Sequence, residues 1–259
     1  MSVLLDVAGI SKRFGGLLAV DSADFTVEAG AITSLIGPNG AGKTTAFNIV
    51  SGFLTPDGGK ISLRGEPIEG LQPHQIALRG MARTFQDPRV FPEMSVLDNV
   101  IVGVRQKGER PLWALLRGAD VDAQWKRARE KAEAILASVS LFERRHEQAS
   151  ALSFGEQRFL SIARALVSEP DIVLLDEPTV GLDRGSFGKL VDLMQNLVAQ
   201  ERKTILLIEH NMDVVMSISA KVVLMVQGAV VASGAPSQVR AHRSMVEAYL
   251  GKRHVAQGQ

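Results

Sequence analysis

The stretch GPNGAGKTT at 37–45 has the residue types and spacing that hold a polyphosphate, G-x-x-x-x-G-K-[ST]. Gly37, Gly40 and Gly42 let the backbone curl its N–H groups around phosphate oxygens, with Pro38, Asn39 and Ala41 completing the loop. Lys43 supplies a cation for the β- and γ-phosphates. The Thr44 hydroxyl, with Thr45 beside it, is a hard oxygen donor for Mg²⁺. A second stretch, IVLLDEP at 172–178, runs four apolar residues into two carboxylates. If that run is a buried strand, its carboxyl edge is where an open α/β sheet binds ligands. Asp176 is then placed for the magnesium shell, and Glu177 for polarising an attacking water. Alone, an apolar run ending in two acids also reads as a capping Asp beside a solvated Glu. Beside the phosphate loop, the catalytic reading is favoured.

A third stretch, LSFGEQ at 152–157, precedes an apolar-periodic helix. Ser153 with Glu156 three residues on is a capping-box pattern, and Gly155 lies between them. Two single residues stand out: Gln86 in RTFQD, where the chain crosses from the core into the helical stretch, and His210 in LLIEHN, just past the strand expected at 204–208. On their own, a lone Gln reads as surface and a lone His as structural. His74, His146, His242 and His254 show no metal-ligand spacing.

The elements that must position these groups follow from periodicity. Strands are expected at 3–7 and 23–27 with a turn at Gly15-Gly16, and at 31–36, 61–65, 172–175, 204–208 and 222–226. Helices are expected at 44–51, 71–80 and 126–139, with helical character dominating from about 94 to 168. The alternation predicts a largely parallel sheet interrupted by a helical insertion. The chain has 259 residues, 46% of them hydrophobic and 22% charged, enough for a substantial core. Net charge is +1, which gives no electrostatic footprint for nucleic acid, and no cysteine is available for disulfides or thiolate metal sites. The N-terminus does not read as a signal peptide, and no apolar run approaches a membrane span, so any membrane role is expected to be peripheral.

Taken together, these residues resemble the ATP-binding-cassette (ABC) ATPases, in family order and over essentially the whole chain. GPNGAGKTT looks like the Walker A motif and VLLDEP the Walker B. Gln86 matches the Q-loop, Glu177 the catalytic carboxylate, Gly181-Leu182-Asp183 the D-loop and His210 the switch histidine. LSFGEQ resembles the signature LSGGQ, with Phe154 replacing the first glycine and Glu156 the glutamine; Phe154 is expected to be tolerated and to stiffen the loop. The resemblance implies a P-loop NTPase core, an N-terminal antiparallel β portion and an inserted helical subdomain. The α/β core is expected at 1–87 and 165–259, and the helical part at 88–164. It implies ATP and Mg²⁺ as ligands, the metal held by Thr44, Gln86 and Asp176, with Lys43, Gln86, Glu177 and His210 in the catalytic set. Two cassettes would pair head to tail, so that Ser153, Phe154, Gly155 and Glu156 bind the ATP of a facing chain. Adenine would stack on Phe14, in KRFGG; the alternative is that Phe14 packs in the core.

RFGGLLAVD, ARTFQDPRVFPEMSVLDNV, LLIEHNMDVVM and the tail SGAPSQVRAHRSMVEAYLG look like the cassettes of branched-chain amino acid importers. The resemblance implies a second, non-identical cassette, two permeases and, indirectly, a solute-binding protein as partners. It places the chain at the cytoplasmic face of the inner membrane. Related importers of urea, amides or aromatic acids share the style, and non-transport ABC ATPases and exporter cassettes are the rival classes. The segment 105–127, with Trp113 among basic residues, reads as an amphipathic helix on its own domain or as a lipid contact.

Overall fold

Two patterns of burial separate the strands. In β1 (Val3–Phe14) and β2 (Leu17–Glu28) buried positions alternate with exposed ones, as in sheets with one wet face. They pair antiparallel through the turn at Gly15-Gly16. In β3 (Ile32–Ile36) every residue is buried, which suits a central strand covered on both faces. The structure, a computed structural model, describes residues 2–104, 118–243 and 245. Most of the 105–127 segment, Trp113 included, and the end of the 233–251 tail lie outside the described residues.

The chain divides into two units. The first comprises Met1–Arg83, Asp171–Pro178 and Met194–Gln259. In it, β1 and β2 join β4 (Gly58–Leu63) and β5 (Glu66–Pro67) in a four-stranded sheet of order β2-β1-β4-β5. A six-stranded sheet holds β3 with β6 (Met81–Arg83), β7 (Ile172–Asp176), β8 (Thr204–Ile208), β9 (Lys221–Val226) and β10 (Ala229–Gly234). Its order is β10-β9-β3-β8-β7-β6, parallel except for the β9–β10 hairpin. The helices α1 (Lys43–Val50), α2 (Pro73–Leu78), α7 (Met212–Ile218) and α8 (Pro236–Ala241) complete this unit. One apolar cluster, including Leu5, Phe25, Phe47, Ile61, Leu174 and Met225, joins both sheets and α1.

The first two strands are longer than the sequence suggests. Gly9, with φ 61°, sits where the register shifts between Val7 and Ile10, so the strand passes its polar stretch by a bulge. The short β5 and β6 and the half-buried β10 were not expected, because few residues carry their pattern.

The second unit comprises Thr84–Pro170 and Thr179–Leu193. It holds α3 (Val96–Ile101), α4 (Gly118–Ser138), α5 (Phe154–Leu166) and the start of α6 (Arg184–Ala199). Its core includes Val96, Val100, Leu136, Leu160 and Ala163. Asn99, fully buried, is satisfied by the loop before α3: its amide donates to Phe91 O and Ser95 O, and its oxygen accepts from Phe91 N at 2.8 Å. Contacts thus assign 84–87, 165–170 and 179–193 to the helical unit. Among the described residues no helix is long and apolar enough to cross a membrane.

Candidate active site

The phosphate-type loop joins β3 to α1 in the first unit, and two glycines make its course possible. Gly37 has φ 152°, and a Cβ there would lie 2.1 Å from the Met225 carbonyl oxygen of β9. Gly42, the N-cap of α1, has φ 95°, and its Cβ would lie 2.3 Å from the Ala19 oxygen of β2. The loop is therefore seated between two strands that only a side-chain-free backbone can approach so closely. The β9–β10 turn secures it, with Gly228 N–H donating to Ala41 O at 3.0 Å. Lys43 folds back over the loop, its Nζ donating to Gly37 O at 2.8 Å and Pro38 O at 3.1 Å. Burial lowers the Lys43 pKa, while the charges of Glu177 and Asp176 oppose that shift. No side chain caps the start of α1, so its leading N–H groups are left for an anion. Thr44 at that terminus is exposed.

The two acids stand at the end of β7. Asp176 is nearly buried, and its Oδ2 lies 3.3 Å from Arg83 Nη2. Burial raises its pKa, and the neighbouring Arg83 guanidinium is the main opposing influence. Glu177 leaves the strand with φ 47°, a left-handed conformation uncommon outside glycine, held by its N–H donating to Ile208 O at 2.9 Å. That turn brings Glu177 Oε1 within 2.6 Å of His210 Nε2. His210 is fixed from behind: the buried Glu209 carboxylate accepts from His210 N at 3.0 Å and Asn211 N at 3.3 Å. Asn211 in turn caps α7.

These residues fit a Mg²⁺ nucleotide. The loop offers N–H donors and a cation for phosphate, and Thr44 and Asp176 are the hard oxygen donors that Mg²⁺ takes. Among the described residues no group of three or more His, Cys, Asp or Glu forms a metal cage. Phe14 is 46% exposed at the hairpin tip, with the Lys12 ammonium 5.9 Å from its ring centroid. It does not pack in the core.

The remaining site residues lie in the second unit. Ser153 is the N-cap of α5 and forms the expected capping box with Glu156. Glu156 Oε2 accepts from Ser153 N and Oγ, each at 2.8 Å, while Oε1 accepts from Arg144 Nη1 at 2.7 Å. A glutamate at this position therefore has a cation to hold it. Phe154 is 45% exposed and lies along Gly181, where an added Cβ would sit 3.0 Å from its ring. Asp183 caps the start of α6 through Gly185 N and Ser186 N. Arg158, one turn into α5 and 1% exposed, donates to the carbonyls of Phe85, Gln86 and Val180. It ties the Gln86 main chain and the 179–182 loop to α5, which accounts for Gln86 belonging to this unit. The Gln86 residue itself is exposed.

A family model for the ABC transporter domain matches residues 20–180. The chain is 43% identical over 250 residues to the high-affinity branched-chain amino acid transport ATP-binding protein LivG of Escherichia coli, covering 96% of this chain and 98% of the relative. The chain belongs to the ABC transporter family. BraF of Pseudomonas aeruginosa, another high-affinity branched-chain amino acid transport ATP-binding protein, is also 43% identical over the same shares. Among solved structures, an ABC transporter cassette in its ADP conformation superposes with a TM-score of 0.84 at 32% identity, covering 97% of this chain and all of that one. A nucleotide-free ABC cassette gives 0.83 at 31% identity, covering 96% and 99%. The α/β P-loop architecture is thus the ABC ATPase fold.

Sequence reasoning missed three buried charges in this ABC cassette: Arg83, Arg158 and Glu209. Arg83 closes a three-residue strand that carries too little pattern to be seen. Arg158 sits within a helical run, where a single arginine reads as a solvated face. Glu209 did carry a signal, an acid directly after the apolar run Ile205–Ile208 and directly before His210.

Proposed function

We propose that this chain is the ATP-hydrolysing subunit of an importer for branched-chain amino acids, bound at the cytoplasmic face of the membrane to two permeases. The observation that carries the hydrolytic reading is the 2.6 Å contact between Glu177 and His210, one residue beyond Asp176 at the end of β7. The solute comes from the names of relatives 43% identical over nearly the full chain.

In this reading the 37–45 loop binds the phosphates through backbone N–H groups and Lys43, and Phe14 stacks on the adenine. Mg²⁺, when bound, neutralises developing charge on the phosphoryl oxygens. Thr44 and Asp176 would hold it, with Gln86 as a third candidate ligand. Glu177 orients a water and takes its proton. His210 holds that carboxylate and faces the γ-phosphate. Ser153, Phe154, Gly155 and Glu156 serve the ATP of a second, non-identical cassette. The start of α5 carries the positive end of a helix dipole, which suits a phosphate. A nucleotide held by both cassettes favours the closed pair, and hydrolysis releases it.

The test is uptake in the source cell after deletion of this chain. Leucine, isoleucine and valine uptake at low external concentration should fall and return with the wild-type chain but not with Glu177→Gln. Unchanged uptake of all three, with loss of urea, amide or aromatic acid uptake, would refute the solute assignment.

A further inference from the structure

Arg83 ends the first of the three segments that make up the first unit, three positions before Gln86, and its side chain is 7% exposed. Contacts other than Asp176 fix its guanidinium. Nη1 donates to Asn48 Oδ1 and to Ser51 Oγ, each at 2.7 Å. The guanidinium lies 5.7 Å from the Phe47 ring centroid and 5.4 Å from that of Phe53. These four partners come from α1 or the turn after it, the helix that the phosphate loop opens. Its other amino group, Nη2, meets Asp176 Oδ2 at 3.3 Å. One rigid, permanently charged fork thus links the phosphate-loop helix to the carboxylate ending β7.

The linkage has a geometric consequence. Thr44 and Asn48 are one helical turn apart on α1, so the helix that presents the Thr44 hydroxyl also anchors Arg83. The contact to Asp176 uses Oδ2 and leaves Oδ1 for an ion. Mg²⁺ demands near-octahedral geometry, so the mutual placement of Thr44 and Asp176 bears on how well it binds.

We propose that Arg83 is a positioning residue for the metal of the MgATP complex, registering the Asp176 carboxylate against α1 so that Asp176 and Thr44 meet the ion together. This rests on the reading of Asp176 as a metal ligand. A purely charge-neutralising cation would serve as well if it were a lysine. A positioning fork could not be replaced in this way, because a lysine gathers its donors on one nitrogen, whereas Arg83 holds Asn48 and Ser51 through Nη1 and meets Asp176 through the separate Nη2.

The experiment uses the full chain with ADP, and with Mn²⁺ as the probe ion. ADP affinity is measured in EDTA and in saturating Mn²⁺, and the ratio reports what the metal adds. Arg83→Lys and Arg83→Gln should keep the EDTA affinity near wild type and lower the ratio about tenfold, the scale of losing a partner that orients a metal ligand. Asp176→Asn should lower the ratio at least as much. Asn48→Ala with Ser51→Ala keeps Arg83 but cuts its tie to α1. It should also lower the ratio, and it stands in if an Arg83 variant fails to fold. If Asp176→Asn lowers the ratio but the Arg83 and the Asn48/Ser51 variants do not, Arg83 has no part in metal binding and the Asp176 reading stands. If Arg83→Lys keeps the ratio and Arg83→Gln loses it, charge alone matters and positioning is overturned. If Asp176→Asn leaves the ratio unchanged, the metal-ligand reading fails and takes this inference with it.

Discussion

Glu177→Gln isolates the proton-accepting step from the geometry around it. Glutamine keeps the length of the side chain and an oxygen for the 2.6 Å contact with His210, while removing the charge that can take a proton from water. The left-handed turn at Glu177 is retained, since its N–H still donates to Ile208 O. Loss of a general base costs about 10²–10⁴ in rate, or roughly 3–5 kcal/mol of barrier at about 1.4 kcal/mol per tenfold. The Glu177–His210 contact is partly exposed, with side chains 18% and 37% accessible, so its effect on folding should stay within about 1 kcal/mol. The rate loss is therefore not a folding loss. The assay is steady-state ATPase of the assembled transporter at saturating MgATP, with nucleotide affinity measured separately. The expected result is a kcat lower by about two to four orders of magnitude with affinity little changed. In the proposed function Glu177 and His210 work through their shared 2.6 Å contact, so adding His210→Ala to Glu177→Gln should cost little more. A kcat for Glu177→Gln within a few-fold of wild type would refute the assignment of the base.

Lys43→Ala removes a charge-assisted hydrogen-bond donor worth about 1.5–3 kcal/mol, so MgATP affinity by titration calorimetry should fall roughly 10–100-fold. Ser153→Ala breaks the capping box of α5 and should lower stability by about 0.5–2 kcal/mol in a urea titration. Burial alone would raise the Glu156 pKa, but hydrogen bonds from Arg144 and Ser153 outweigh it and hold the carboxyl below its ordinary 4.5. Its stabilisation is present above that value and lost as pH falls through the lower folded one, so Glu156→Gln should flatten the acid limb of a urea-midpoint profile below the ordinary carboxyl value of 4.5. Gln86→Ala should keep nucleotide affinity near wild type in equilibrium binding and lose the stimulation of ATPase by the solute-loaded transporter.

The parallel sheet was legible because β3, β7 and β8 are short runs dominated by Ile, Leu and Val, broken only by Thr33, Ser34 and Thr204, that lead into Gly37, Asp176 and His210's neighbour Glu209. Such runs have little choice but a central strand. The phosphate loop and the α5 capping box were legible for a related reason: each is written in contiguous residues whose types have few other uses. What was not legible depends on distant pairs. Arg83 acquires its meaning from Asn48, Ser51 and Asp176, up to 93 positions away, and Arg158 from carbonyls at 85, 86 and 180. Nothing in the local spacing announces either. The extent of β1 was hidden for another reason, since the bulge at Gly9 breaks the alternation on which strand recognition rests.

The central claim is that the ATP of this chain is shared with a second cassette, whose own ATP meets Ser153, Phe154, Gly155 and Glu156. The most direct test is sedimentation of the Glu177→Gln chain with the cassette that co-purifies with it, in MgATP and in MgADP. The account predicts a two-cassette species in MgATP that is absent in MgADP and is lost when Ser153→Arg blocks the start of α5. A mixture that stays as single chains in MgATP, or pairs equally well with Ser153→Arg, would contradict it.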